Sequence, residues 1–181
     1  MVKNASQVET AGSNDIKKLA ELIKDIKIAM LTTVEADGRL RSRPMATQNK
    51  PFDGTLWFFT EINSGKVSEI QRDHQVNISY ADTDSQKYVS VSGVANVVQD
   101  RAKAEEFWSP VYKAWFPDGL DDPSLALLKV DVTQAEYWEA PHGAVVRLVG
   151  FLKAVTTGQK YEPGENRRVE VAEPASTSGN A

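Results

Sequence analysis

TLWFFTEINSGKVSEIQRD, residues 55–73, decides how the chain is read. The run TLWFFT has the continuous aromatic and β-branched content of a buried strand, and SGKVSEIQRD follows it as a helix. At their junction FFTEINSGK, residues 58–66, carries a glycine-lysine pair, a combination that suggests a phosphate site. A P-loop is excluded, because its first glycine would fall at Thr60 and its magnesium-holding hydroxyl at Val67. What remains is Thr60, Ser64, the flexible Gly65 and the cation Lys66, close to a helix start. Such a cluster suits a terminal phosphate monoester, met by side-chain donors and by helix N-terminal N–H groups. The local string also allows a plain N-cap, with Asn63 or Ser64 opening the helix and Lys66 solvated. Caps are the commoner occurrence, so both readings stand at this point.

Upstream, DIKKLAELIKDI places Ile16, Leu19, Ala20, Leu22, Ile23 and Ile26 near helical spacing, which predicts an amphipathic helix capped by Asn14 or Asp15. KIAMLTTVE and RLRSRPMATQ read as two strands joined by the tight turn ADG, in which Gly38 supplies positive φ. Downstream, DHQVNISYAD and KYVSVSGVANVVQ are strands separated by the loop DTDSQ. Gly93 inside the second pattern, on one parity with Val89 and Val91, predicts a bulge or a close backbone approach. DRAKAEEFW is a short helix with an Asp cap, SPVYKAWFPDGLDDPS is a helix ending at Phe116 or an irregular lid, and LALLKVDVTQAEYWEA is a sixth strand. HGAVVRLVGFLKAV returns to helical spacing. The last stretch, residues 158–181, is rich in Glu, Pro, Ser and Gly and reads as a disordered tail. Residues 1–14 read as a flexible N-terminus.

Composition narrows the function. A net charge of −4 with pI near 5.3 argues against broad nucleic-acid binding. With no cysteine, thiolate metal sites, disulfides and cysteine nucleophiles are excluded. His74 and His142 lack metal-ligand spacing, so no metal site is expected. No apolar run approaches a bilayer span and no secretion-type apolar segment opens the chain, so a cytoplasmic protein without membrane contact is expected. Ser90 and Ser92 lie in a strand without a nucleophile elbow. Arg39, Arg41 and Arg43 share one face of an extended chain, either as an anion site or as a wet face. Pro44 marks an edge, a bulge or interrupted pairing that frees a backbone group. Phe107, Trp108, Tyr112, Trp115 and Phe116 crowd one window as core, dimer interface or a platform for a planar ligand.

From about Lys27 to Pro141 these strings together resemble the pyridoxamine 5′-phosphate oxidase-like split-barrel flavoproteins, and most closely the subgroup called general stress protein 26. Phe59, Thr60, Ser64 and Lys66 fall on the aromatic, threonine, serine and lysine positions of the oxidases' F-Y-T-N-x-G-S-R-K phosphate segment, with Gly65 in place of its arginine. Arg43 matches the arginine of R-x-V-L-x-K, and Gln48 replaces the lysine. Arg43, Pro44 and Met45 form the R-P-M of the stress-protein subgroup. KYVSVSG keeps the valines and glycine of R-Q-V-R-V-x-G, with Tyr88 at the glutamine by which the partner subunit contacts flavin and Ser90 at its substrate arginine. WSPVYKAWFPDG and AEYWEAP also look like stress-protein strings. The oxidases' C-terminal R-L-x-P segment has no counterpart here.

The resemblance implies a mainly β (α+β) fold, a six-stranded antiparallel split β-barrel with flanking helices over residues 15–157. It implies a homodimer with FMN, or possibly FAD, at the subunit interface. Arg43, Thr60, Ser64 and Lys66 would hold the phosphate. Backbone around Pro44, Met45 and Ala46, with Phe59 and the partner's Tyr88, would meet the flavin. The departures leave vitamin B6 oxidase activity poorly supported. Three functions follow: a flavin-dependent oxidoreductase of an unknown small molecule, a flavin-binding stress sensor without turnover, or a split barrel that has lost the flavin and serves only as a dimeric scaffold or as a haem or deazaflavin binder. With two family cations replaced, weaker FMN binding or an altered flavin preference is expected.

Overall fold

A computed structural model of the chain describes residues 9–10, 13–48, 50–139 and 165–171. The helix expected at residues 142–155 lies outside them. In chain order the elements are β1 (Glu9–Thr10), α1 (Ser13–Ile23), β2 (Ile28–Val34), β3 (Leu40–Ala46), β4 (Thr55–Glu61), α2 (Gly65–Arg72), β5 (Gln75–Asp82), β6 (Lys87–Val98), α3 (Arg101–Phe107), β7 (Leu125–Glu139) and β8 (Glu165–Glu170). Two 3-10 turns, Pro110–Ala114 and Gly119–Asp121, fill the window that was open between a helix and an irregular lid.

The six expected strands are all present and run β4-β7-β6-β5-β2-β3, every neighbour antiparallel. Among the described residues β3 pairs only with β2 and β4 only with β7, so the sheet curls without closing and the barrel is split between β3 and β4. Its interior is filled by alternate residues such as Leu31, Phe58, Ile78, Val91 and Val130. The apolar stripe of α1 joins this core through Leu19, Leu22 and, just beyond the helix, Ile26. β4 is covered on both sides, which explains its unbroken apolar run. Leu56 and Phe58 face the barrel, while Trp57 and Phe59 face a second core built on Phe107, Phe116, Leu125 and Leu127.

Two expectations need correction. The strand count is seven with β8, and eight with the two-residue β1, rather than six. β8 lies in the stretch read as a disordered tail, and β1, in the stretch read as a flexible N-terminus, pairs with it in parallel. Composition misled because only Val169 and Val171 are apolar there. Both are buried, and β8 borrows the rest of its order from the edge of β7.

β7 can serve two partners because it carries a bulge. Opposite Ser92 and Gly93 its register jumps from Gln134 to Val132, leaving Thr133 as the extra residue. A bulge flips the side-chain parity of everything beyond it. Leu128, Val130 and Val132 point inward before it, and Ala135 and Tyr137 after it. The handover is direct. Val132 N–H donates to the Gly54 carbonyl on the β4 side, and the Thr133 carbonyl accepts from Val171 N–H on the β8 side. The sequence-predicted irregularity at Gly93 is this bulge. A Cβ there would stand 2.5 Å from the Asp131 carbonyl oxygen and 2.9 Å from Val130 Cγ1. Gly93→Ala is therefore expected to destabilise the protein by roughly 3 kcal/mol in denaturant unfolding. At Gly65 an added Cβ meets only Glu69 Oε1, at 3.9 Å, so Gly65→Ala is expected to stay within about 1 kcal/mol of the parent.

Candidate anion site at the barrel split

The strand–turn–helix of residues 55–73 brings three of the sequence-predicted residues together. Thr60, at the inward-facing end of β4, is buried, and Ser64 occupies the N-cap position of α2. Lys66 Nζ donates to Thr60 Oγ1 and to Ser64 Oγ, each at 3.1 Å, and the two hydroxyls stand 3.3 Å apart. Ser64 has cap geometry in its backbone, but its hydroxyl makes no cap bond. It has turned to the lysine instead. The cap reading is thus half right: the residue marks the helix start while its side chain serves the cluster.

Lys66 is half-buried, and among the described residues no carboxylate comes within ion-pair distance of it. Burial pulls its ammonium below the ordinary lysine value, and the charge of Arg43 adds to that, outweighing the pull of Glu61 and Glu69 in the other direction. A desolvated cation beside hydroxyls and a helix N-terminus is a site that an anion would relieve. The arrangement fits a phosphate monoester.

Arg43 reaches the same neighbourhood from β3 but spends its charge locally. Its Nη2 pairs with Glu69 Oε2 at 2.7 Å and its Nη1 donates to Thr33 Oγ1 at 2.7 Å. Burial alone would raise the Glu69 carboxyl, yet the hydrogen bonds from Thr33 and Arg43 and the charge of Arg43 hold it below the ordinary value. The two other arginines of the triplet are also paired, Arg39 with Asp37 at 2.7 Å and Arg41 with Glu35 at 3.1 Å. The triplet is therefore neither a bare anion site nor a simple wet face. Glu69 and Thr33 were not singled out from sequence. The available signal was a glutamate between Val67 and Ile70, on the buried side of α2.

Pro44 does not interrupt pairing, contrary to one of the expectations. The β2–β3 register is unbroken from Ile28 opposite Ala46 to Val34 opposite Leu40. Glu35 N–H donates to the Arg39 carbonyl and Thr47 N–H to the Lys27 carbonyl. Odd-numbered residues of β3 thus bond to β2, and Ser42, Pro44 and Ala46 turn their backbone to the open edge. Proline stands where an N–H would have had no ladder partner. At the split the Ala46 N–H faces the open edge, while its carbonyl accepts from Gln48 Nε2 at 3.5 Å. Met45 presents no backbone to that edge, since its backbone faces β2 and its side chain is buried in the core.

Phe59 and Tyr88 lie elsewhere. Phe59 projects from β4 opposite to Thr60 and packs on Tyr112, with centroids 4.3 Å apart, and on Trp108 and Phe116. The aromatic window is thus mainly a second core, although Trp115 remains exposed. Tyr88 sits on the outward face of β6, opposite Ala81 of β5 and Trp138 of β7. Gln48 accepts from Tyr112 Oη at 3.2 Å.

The described residues contain no group of histidines and carboxylates able to hold a metal, and no helix long and apolar enough to cross a membrane. The Arg43–Glu69 pair yields a pH prediction. The carboxyl is lowered in the folded state, so its contribution to stability is present above its unfolded value and is lost as pH falls through the folded one. Glu69→Gln is expected to cost about 3 kcal/mol at neutral pH, since it strands a largely buried guanidinium. The variant should also show a shallower loss of stability on acidification, followed by thermal melts across the acid range.

Comparison with known proteins places these features in company. A family model described as pyridoxamine 5′-phosphate oxidase like matches residues 14–162. Protein bli-3 of Neurospora crassa is 29% identical over 168 residues, which cover 87% of this chain and 80% of that protein. A crystal structure assigned as general stress protein 26 from Jannaschia sp. CCS1 superposes with a TM-score of 0.71 at 26% identity, covering 88% of this chain and 99% of that one. The general stress FMN/FAD binding protein from Xanthomonas citri gives 0.62 at 26% identity, covering 72% and 93%.

Proposed function

The chain belongs to the pyridoxamine 5′-phosphate oxidase-like family, and from that premise we propose that it is a flavin-binding protein of the general stress type. Lys66, Thr60 and Ser64 hold the phosphate of FMN, and the open edge of β3 at Ala46 meets the flavin. The observation that carries this reading is the half-buried Lys66 ammonium, bonded to two hydroxyls and to no described carboxylate. The FMN/FAD binding named for the Xanthomonas citri relative supports it. Arg43 stands behind the cluster and raises the local potential, but its pairing with Glu69 leaves Lys66 as the principal phosphate cation. Gly65 leaves open space where the oxidases place an arginine. The absent side chain weakens the grip on a monoester and makes room for the longer diphosphate of FAD.

The same proposal includes a cytoplasmic homodimer. Ile28 is 53% exposed, Met30 40%, Tyr88 40% and Trp138 39%, and all four lie on the outward face of neighbouring strands. A partner covering that face would bury them and would bring its own Tyr88 toward the flavin. The bound flavin supplies redox chemistry on a small molecule, while this chain's residues bind, orient and tune it. Steady NAD(P)H oxidation by the flavin-loaded protein identifies an oxidoreductase; binding without turnover identifies a sensor.

Lys66→Ala is expected to weaken FMN binding more than tenfold in a fluorescence titration, the loss of one charge-assisted contact. An unchanged affinity would remove the phosphate assignment. The affinity also has a predicted pH dependence. Because FMN needs the protonated lysine, binding should weaken as pH rises through the lowered value of Lys66, whereas Lys66→Arg should hold its affinity across the same rise.

A further inference from the structure

Away from the Lys66 cluster, a cavity of about 410 Å³ opens between the end of α1, the segment after β3, the start of β4 and α3. It lies toward Thr47 and Thr55, at the end of the β3–β4 gap opposite to Arg43 and Thr60. Phe52, Leu56, Trp57, Phe58 and Phe107 give it apolar and aromatic walls. Its volume is within the range of small-molecule sites.

One wall group is unusual. Tyr80 lines the cavity and is only 3% exposed, yet its hydroxyl has no hydrogen-bond partner among the described residues. Among the described residues no side-chain nitrogen or oxygen that is sealed from solvent lacks a partner. The Tyr80 hydroxyl is therefore not sealed: it opens onto the cavity that the ring helps to form. Burial pushes the phenol above its ordinary value, so it stays protonated and acts as a donor. A buried phenol normally finds a partner, and this one has none among the described residues.

The charges at the mouth cancel. Lys24 pairs with Glu21 at 2.7 Å and Lys103 with Glu106 at 2.8 Å, while Lys50 is offset by Asp53 on the same rim. Lys103 Nζ also lies 5.3 Å from the ring centroids of both Trp57 and Phe107. Unlike the Lys66 cluster, this place offers no net attraction to an anion. We propose that the cavity is a second small-molecule site, taking a neutral, flat, apolar-bodied compound whose carbonyl oxygen accepts from Tyr80 Oη. The proposal uses none of the phosphate residues.

The test uses 1-indanone, a neutral fused-ring ketone, and indane, the same skeleton without the carbonyl, each titrated against the full chain by ligand-observed NMR. The ketone binds saturably, and 10 mM inorganic phosphate does not displace it. Tyr80→Phe, which removes only the unpartnered hydroxyl, weakens the ketone about fivefold. It leaves indane binding unchanged and does not lower the melting temperature. Ala20→Phe, which fills the α1 side of the cavity, reduces binding of both. The proposal is overturned if the ketone shows no saturable binding, so that the cavity holds water only. It is equally overturned if Tyr80→Phe leaves the ketone affinity unchanged, or if phosphate competes.

Discussion

The extra residue at Thr133, with Gly93 pressed against the Asp131 carbonyl beside it, is the constraint from which the architecture follows. A strand as long as β7 would ordinarily keep one neighbour along each edge. The bulge turns its second half away, so one edge passes from β4 to β8 within two residues. Among the described residues β4 is then left hydrogen-bonded on one side alone, facing β3 across a gap. Only glycine tolerates the approach of the Asp131 carbonyl that this bend requires. An open gap between two strand edges would be a liability in most sheets. Here it is where the polar cluster assembles.

Two cations approach that gap and are used differently. Arg43 is fixed by Glu69 and Thr33, a largely buried network that locks β3 to α2. Such a pair contributes little net energy but makes the position of each member definite. Among the described residues Lys66 is held only by hydroxyls, which orient an ammonium without neutralising it. The division of labour is between a structural cation and an available one. A desolvated cation also counts for more than an exposed one, so a cluster with a single available lysine still attracts an anion.

Much of this was legible in the sequence. β-rich runs, turn signals and, in KYVSVSGVANVVQ, period-two alternation located the six barrel strands, and Gly93 announced its irregularity by interrupting a valine parity. Thr60, Ser64 and Lys66 could be grouped because a strand end, a turn and a first helical turn are local geometry. Longer-range facts were not readable. Which face of β4 Phe59 would take depends on α3 and the 3-10 turns packing behind it. That Glu69 would claim Arg43 depends on α2 crossing β2 and β3. Pro44 was read as an edge, a bulge or interrupted pairing; it lies at the edge, and pairing on its other side continues unbroken, since backbone parity along β3 is decided by the turn at Gly38. β8 was hidden because a strand with two buried valines is ordered by its neighbour rather than by its own composition.

The central claim is that the Lys66 cluster recognises a phosphate, and comparing dissociation constants for FMN and riboflavin on the unmodified protein tests it most directly. The two ligands share a ring system and differ by the phosphate group. The account predicts that FMN binds at least tenfold more tightly than riboflavin. Equal affinity for the two would contradict it.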